Sequence, residues 1–262
     1  MLLLLLLVMF VLPDGWWRGL VVLVVIQGVT EWSGLSRLSR RQTYLYGGLT
    51  LMLMLALLWF DAHHVHAAQL IPHLAIYAVS AVLWLIIVPV WMITAWKIEN
   101  RYLMCLTGWA VLIPTGVAML DLHAMSPWIL LLVMALVWVA DIGAYFAGRR
   151  FGKNKLAPAI SPGKTWEGVA GGMLGVSLYV CIVHPAIPFM ALPVLLLAGW
   201  AWVGLAVIGD LFESLMKRHA GVKDSGALLP GHGGLLDRID ALTSTLPLAA
   251  LVVLLQQFFV KW

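Results

Sequence analysis

The chain has 262 residues, 63% of them hydrophobic and only 11% charged, with a mean hydropathy of +0.98 and a formal net charge of +4. A soluble globular chain is nearer half apolar and a quarter charged, so this composition excludes an ordinary soluble fold. A membrane β-barrel is disfavoured too, because its strands would alternate apolar and polar residues where this chain has long apolar windows.

No stretch is long and polar enough for a separate soluble domain. The expectation is one all-α, polytopic helical membrane domain over residues 1–262, with its lipid bilayer as a partner and no nucleic acid. The apolar windows fall at 1–12, 17–33, 45–60, 74–96, 102–120, 127–147, 166–184, 188–209 and 240–260, which predicts nine transmembrane helices. The first, "MLLLLLLVMF", has no basic region before it and no small-residue cleavage site, so it is read as a membrane segment and not as a signal peptide. Residues 1–12 would reach only about 18 Å as a helix. Pro89 and Pro247 fall inside windows and predict kinks. Trp16, Trp17, Trp59, Trp96, Trp128, Trp166 and Trp262 lie near window ends and are read as interface anchors. Cys105 and Cys181 fall near opposite faces and are expected to stay unpaired.

Basic residues set the orientation. Alternate connections hold Arg37, Arg40 and Arg41; Lys97 and Arg101; Arg149, Arg150, Lys153, Lys155 and Lys164; and Lys217, Arg218, Lys223 and Arg238, fourteen of the sixteen Lys and Arg. That side is read as cytoplasmic, which puts the amino terminus inside and the carboxy terminus outside, as in a bacterial inner membrane protein. Nine of the twelve acids share it: Glu31, Glu99, Asp141, Glu167, Asp210, Glu213, Asp224, Asp237 and Asp240. A net positive face crowded with carboxylates suits an anionic substrate held through metal ions. The opposite loop carries His63, His64, His66 and His73 and is read as a solvated loop ahead of a metal site.

Three polar clusters lie on the basic face, in the half from about residue 127 to 262. In "ADIGAYFAGRRFG", Asp141 sits eight residues before Arg149, about 12 Å deeper along a helix, where an acid is a functional candidate by default. In "SPGKTWEGVAGG", Ser161, Pro162 and Gly163 predict a helix start that puts Lys164 in the first turn, a phosphate-binding arrangement. Gly168 with Gly172, and Gly171 with Gly175, are spaced for close helix packing. In "GDLFESLMKRHAGVKDSGALLPGHGGLLDRID", Asp210, Ser214 and Lys217 share a helix face, Glu213 joins them, and Gly221 ends the helix. A glycine loop then leads to Asp237 and Asp240 at the start of the last window, where either acid can serve as a cap. Carboxylates for Mg²⁺, Lys and Arg for phosphates, and a glycine loop for backbone N–H groups together point to phosphoryl transfer at a membrane surface.

"SLMKRHAGVKDSGALLPGHGGLLDRID", residues 214–240, resembles the signature of the phosphatidate cytidylyltransferases (CDP-diacylglycerol synthases), and "ADIGAYFAGRRFGKNKLAP" and "SPGKTWEG" resemble the family's upstream segments. The specific likeness covers about Val139 to Leu246. It implies attack of the phosphate of phosphatidate on the α-phosphorus of CTP, release of pyrophosphate and formation of CDP-diacylglycerol. It also implies Mg²⁺ as cofactor, with a second cation allowed. Carried across, the metal ligands are Asp210 and Asp237. Lys217, Arg218, Lys223, His232 and Arg238 match phosphate-binding positions. Asp141, Lys164, Ser214 and Asp240 are the remaining catalytic candidates. A homodimer is left open. The alternatives are transfer to a different lipid phosphate, and an anion or lipid transporter. The latter is disfavoured because the charges cluster at one face and no internal repeat is visible. Reporters fused after Arg41, Arg150 or Lys223 should read as cytoplasmic and one after His66 as external; reversed signals at two sites would overturn this orientation.

Overall fold

The computed structural model describes residues 2–63, 66–187, 190–226, 228 and 233–260. A short helix α1 (Leu2–Phe10) precedes α2 (Asp14–Leu35) and α3 (Arg40–His63). Next, α4 (His66–Val82) runs through a π-helical turn, Leu83–Ile87, into α5 (Val88–Thr94), and α6 (Arg101–Met125) and α7 (Pro127–Phe151) follow. A hairpin of β1 (Lys155–Ala157) and β2 (Ser161–Thr165) leads into α8 (Trp166–Val183), α9 (Leu192–Ala220) and α10 (Leu236–Val260). Among the described residues, eight helices are long and apolar enough to cross a membrane. The chain is therefore a polytopic all-α protein.

The first expected span is the exception. Helix α1 has nine residues, about 14 Å, against a hydrocarbon core of about 30 Å. Its end lies beside the junction of α6 and α7: the His123 ring bonds the Met9 carbonyl at 2.9 Å and Phe10 packs on Trp128.

Helices α6 and α10 form the centre of the bundle, with 72% and 61% of their spanning windows buried, whereas α3 and α8 are peripheral at 17% each. Trp17 is a second correction. It is 1% exposed, on a stripe with Val21, Val25 and Val29, and its indole donates to the Met119 carbonyl of α6. Its neighbour Trp16 is 65% exposed. Adjacent residues point about 100° apart on a helix, so only one of the pair can face lipid. Trp32, on the same stripe as Trp17, donates to the Met104 carbonyl. Pro89 follows a turn in which the Val88 N–H reaches five residues back to the Leu83 carbonyl, a wide turn of the kind that accompanies a break in the helical ladder.

A third correction concerns the outer histidines. His73 is buried, with Nδ1 2.7 Å from Asp121 and Nε2 3.2 Å from Asp61, while the Tyr77 hydroxyl donates to Asp121 at 2.6 Å. It belongs to a polar knot joining α3, α4 and α6, not to a solvated loop. His64 lies outside the described residues. Cys105 and Cys181 are both free.

Two backbone contacts position the polar face. Helices α7 and α8 meet along glycines, as the spacing predicts: a Cβ on Gly143 would stand 2.6 Å from the Gly171 carbonyl oxygen, and one on Gly172 3.0 Å from that of Ala140. At Gly209 of α9, a Cβ would stand 2.7 Å from the Asp240 carbonyl oxygen and 2.6 Å from Ser244 Oγ. Ser244 itself donates to the Leu205 carbonyl at 2.8 Å. Glycine at 209 therefore lets α10 lie against α9 just where both carry acids. Gly209→Val should cost about 1–3 kcal/mol by overpacking, read as a lower unfolding temperature of the detergent-solubilised protein. A protein as stable as the parent would show that α9 and α10 do not depend on this approach.

Candidate active site

The site is built on the basic-loop ends of α7, α9 and α10 and on the β-hairpin. The hairpin corrects the expectation for Lys164. Ser161–Thr165 is a strand, paired antiparallel with β1 (Lys155 opposite Thr165, Ala157 opposite Ser161). Helix α8 begins at Trp166, and Thr165 is its cap, accepting from the Gly168 N–H at 3.1 Å. Lys164 thus lies on a strand, not in a helical first turn. Ser161 followed by Pro162 has the form of a helix start, but the local signal that prevails is Thr165 three residues before Gly168. The strand aims Lys164 at α9, where its Nζ lies 2.5 Å from Asp210 Oδ2. Arg218 Nε donates to the Ile160 carbonyl at 3.4 Å, tying α9 to the hairpin a second time.

Along α9, Asp210, Glu213, Ser214 and Lys217 share a face, as the spacing predicts. Ser214 Oγ lies 3.4 Å from Asp210 Oδ1. Lys217 Nζ lies 3.2 Å from Glu213 and 2.5 Å from Asp237 Oδ1 on α10. Gly221, at φ +80°, ends the helix, and the Val222 N–H returns to the Lys217 carbonyl at 3.0 Å. After it come Lys223, which is exposed, and the glycine loop. His232 lies outside the described residues. Arg238 is on the exposed side of the first turn of α10.

The structure sorts the expected residues into two adjoining groups, which meet where Asp240 and Glu213 feel each other's charge. In one, Asp141 of α7, Asp210 of α9 and Asp240 of α10 lie close enough to feel one another's charge, with Lys164 as the cation among them. In the other, Lys217 sits between Glu213 and Asp237. Asp210 and Asp237, expected at one cation, are held by different lysines. Asp237 has further donors: the Ser225 N–H and hydroxyl at 3.0 Å each and the Gly234 N–H at 2.8 Å, all to Oδ2. It therefore ties the loop on both of its sides to the first turn of α10, in addition to binding Lys217.

Carboxylate oxygens are the ligands that a hard divalent cation requires, so the donor chemistry of both groups fits Mg²⁺. Among the described residues, no three His, Cys, Asp or Glu side chains are drawn together closely enough to enclose an ion. Asp210 pairs with Lys164, and Glu213 and Asp237 with Lys217.

Glu31 is the residue that sequence reasoning counted only as one acid among nine. It is buried near the end of α2 and accepts from the Leu235 and Leu236 N–H groups at 2.9 Å each, from Ser225 Oγ at 3.0 Å and from Gln27 at 2.9 Å. Gly226 and Gly234 pack on it so closely that a Cβ would stand 2.9 Å from its Cδ and 2.4 Å from its Oε2, respectively. Leu235 and Leu236 are more than 200 positions away and Ser225 is 194 away, and no local pattern announces them.

The sequence pattern described as the Cytidylyltransferase family matches residues 1–256, well beyond the Val139–Leu246 likeness noted above. The chain is 37% identical over 245 residues to the phosphatidate cytidylyltransferase of Haemophilus influenzae, covering 86% of this chain and 85% of that one. It is 46% identical over 147 residues to the phosphatidate cytidylyltransferase of Pseudomonas aeruginosa (55% and 54% of the two chains) and 43% identical over 129 residues to that of Thermotoga maritima (47% of each).

The two lysines should differ on removal. Lys217 is 12% exposed between acids that are 6% and 12% exposed, whereas Lys164 and Asp210 are 23% and 32% exposed. Lys217→Met strands two buried acids and should lower the unfolding temperature by on the order of 10 °C. Lys164→Met should shift it by less than about 3 °C. Equal shifts in thermal unfolding would contradict the two-group arrangement.

Proposed function

The chain belongs to the cytidylyltransferase family, and we propose on that premise that it is a CTP-dependent nucleotidyltransferase that makes CDP-diacylglycerol from CTP and phosphatidate. A phosphate oxygen of phosphatidate attacks the α-phosphorus of CTP, the bond from that phosphorus to the β-phosphate oxygen breaks, and pyrophosphate leaves. The observation that carries the reading is the pairing of lysines with carboxylates at the ends of α9 and α10 where they meet the polar loop. The nucleophile is an already ionised phosphate, so no strong base is needed. Positioning and charge neutralisation suffice.

The roles follow from where the side chains stand. Asp210 and Asp237 are the proposed Mg²⁺ ligands, with Asp141 and Asp240 supporting them. The ion supplies Lewis-acid polarisation of the phosphates and offsets the charge of the leaving pyrophosphate. Lys164 and Lys217 now rest on Asp210 and Asp237. A triphosphate or lipid phosphate offers each ammonium a competing anion, which frees carboxylate oxygens as it binds. Arg218, Lys223, His232 and Arg238 are proposed to hold phosphates at the rim, and Ser214 to orient Asp210, beside which its hydroxyl lies. The excess of Lys and Arg on one set of connections supports a cytoplasmic site, with the amino terminus inside and the carboxy terminus outside, and on this reading the lipid substrate comes from the inner leaflet.

The test is turnover of CTP and phosphatidate to CDP-diacylglycerol by the purified protein, abolished by a chelator and restored by Mg²⁺. Asp210→Asn and Asp237→Asn should each lower kcat/KM by roughly 100-fold or more, and the double variant should be little worse than either, as for residues acting as a unit. Additive losses would separate the two carboxylates. A protein that consumes CTP only with another lipid phosphate would keep the chemistry and change the substrate.

A further inference from the structure

We propose that Glu31 is a positioning residue of the active site: its carboxylate sets the conformation of the loop that presents the phosphate-binding residues and Asp237. The inference rests on the reaction proposed above but starts from geometry that does not depend on it. Glu31 is 6% exposed, and it faces the loop from the end of α2, an element that carries none of the expected site residues.

Both its oxygens are engaged. Oε1 accepts from the Leu235 N–H and from Gln27, and Oε2 from the Leu236 N–H and Ser225 Oγ. Leu235 immediately precedes α10 and Leu236 is its first residue, and the first N–H groups of a helix have no partner within it. An anion there is held by these amides and by the positive end of the helix. Helix α10 therefore acquires its cap from α2, not from its own flank. Gln27, one helical turn before Glu31, fixes the carboxylate's orientation.

Ser225 links this anchor to the site. Its hydroxyl lies 3.0 Å from Glu31 Oε2 and 3.0 Å from Asp237 Oδ2, and its N–H donates to the same Asp237 oxygen. One hydroxyl proton cannot serve both carboxylates fully, so Ser225 is shared between them. Asp237 in turn bonds Lys217. The path from Glu31 through Ser225 and Asp237 to Lys217 is continuous. Gly226 and Gly234, on either side of the loop, come so near Glu31 that a side chain at either would collide with it. These two glycines thus have a second use: they let the backbone close around a buried anion. Without that anion the loop loses two amide acceptors and one end of its tether, and Lys223 and Asp237 lose their fixed separation.

The experiment uses the full-length protein in detergent, with Glu31→Gln as the variant, since it keeps size and one acceptor oxygen while removing the charge. Amide hydrogen exchange over residues 225–236 should become at least about 10-fold faster, with exchange in α7 and α8 unchanged. In turnover, KM for CTP should rise by about 10-fold or more while kcat stays within about 3-fold, the loss expected when a supporting contact is removed from a site left chemically intact. Ser225→Ala, which cuts the shared hydroxyl alone, should give a smaller change in the same directions and serves if Glu31→Gln does not fold. Unchanged exchange over 225–236 overturns the proposal whatever the activity. Faster exchange with an unchanged KM for CTP overturns it too, since Glu31 would then be a contact of the fold alone. If the parent protein shows no CTP-dependent turnover, the reaction is wrong, while the exchange measurement still decides whether Glu31 holds the loop.

Discussion

A chain that turns back into a bilayer must find acceptors for the amides of the turn, because the hydrocarbon offers none. Here two carboxylates meet that need. Asp237 takes the Ser225 and Gly234 N–H groups, and Glu31 takes those of Leu235 and Leu236. Much of the polar face can be derived from this requirement. Glu31 is satisfied there by neutral donors alone, whereas Asp237 also takes a cation, and Lys217 on the preceding helix supplies it. The same groups that let the loop enter the membrane then form a cluster with the composition of a phosphate and metal site.

The two lysine–carboxylate groups divide the labour by depth and exposure. Lys217 is packed between Glu213 and Asp237 and holds α9 to α10. Lys164 reaches from a surface hairpin to Asp210, beside Asp141 and Asp240. The first resembles a structural strut, and the second can exchange partners at little cost. A site that must grip a triphosphate and then release pyrophosphate can use the difference: Lys164 turns to an incoming phosphate at less cost than Lys217 does.

Much of this was readable in the sequence because the signal is local or periodic. The spans followed from apolar windows, the α7–α8 seam from glycine spacing, the end of α9 from Gly221, and the shared face of Asp210, Ser214 and Lys217 from helical repeat. The failures are of another kind. Leu2–Phe10 has the composition of a span without the length. Ser161–Pro162 offers a valid helix start, yet the chain uses Thr165, and pairing with β1 decides the matter. Trp16 and Trp17 are indistinguishable by position, and only the packing of α2 on α6 separates them. His73 reads as part of a polar loop until Asp61 and Asp121 arrive from two other helices. Glu31 meets Leu235 and Leu236 across nearly the whole chain. Apart from Leu2–Phe10, whose length decides, each miss is a tertiary choice between local options of similar cost.

The span of that last contact has a meaning for biogenesis. Glu31 and Leu235 are separated by 204 positions, and ribosomes add residues at about 5–20 per second. Glu31 therefore emerges roughly 10–40 s before the amides that complete its shell, with Gln27 beside it in the meantime. The site does not exist at any earlier stage of translation, because its loop has no anchor and α10 has not entered the bundle. A chain that stalls before the last helix is delivered to the membrane as an inert set of helices, and catalytic competence arrives in one step, with the final insertion.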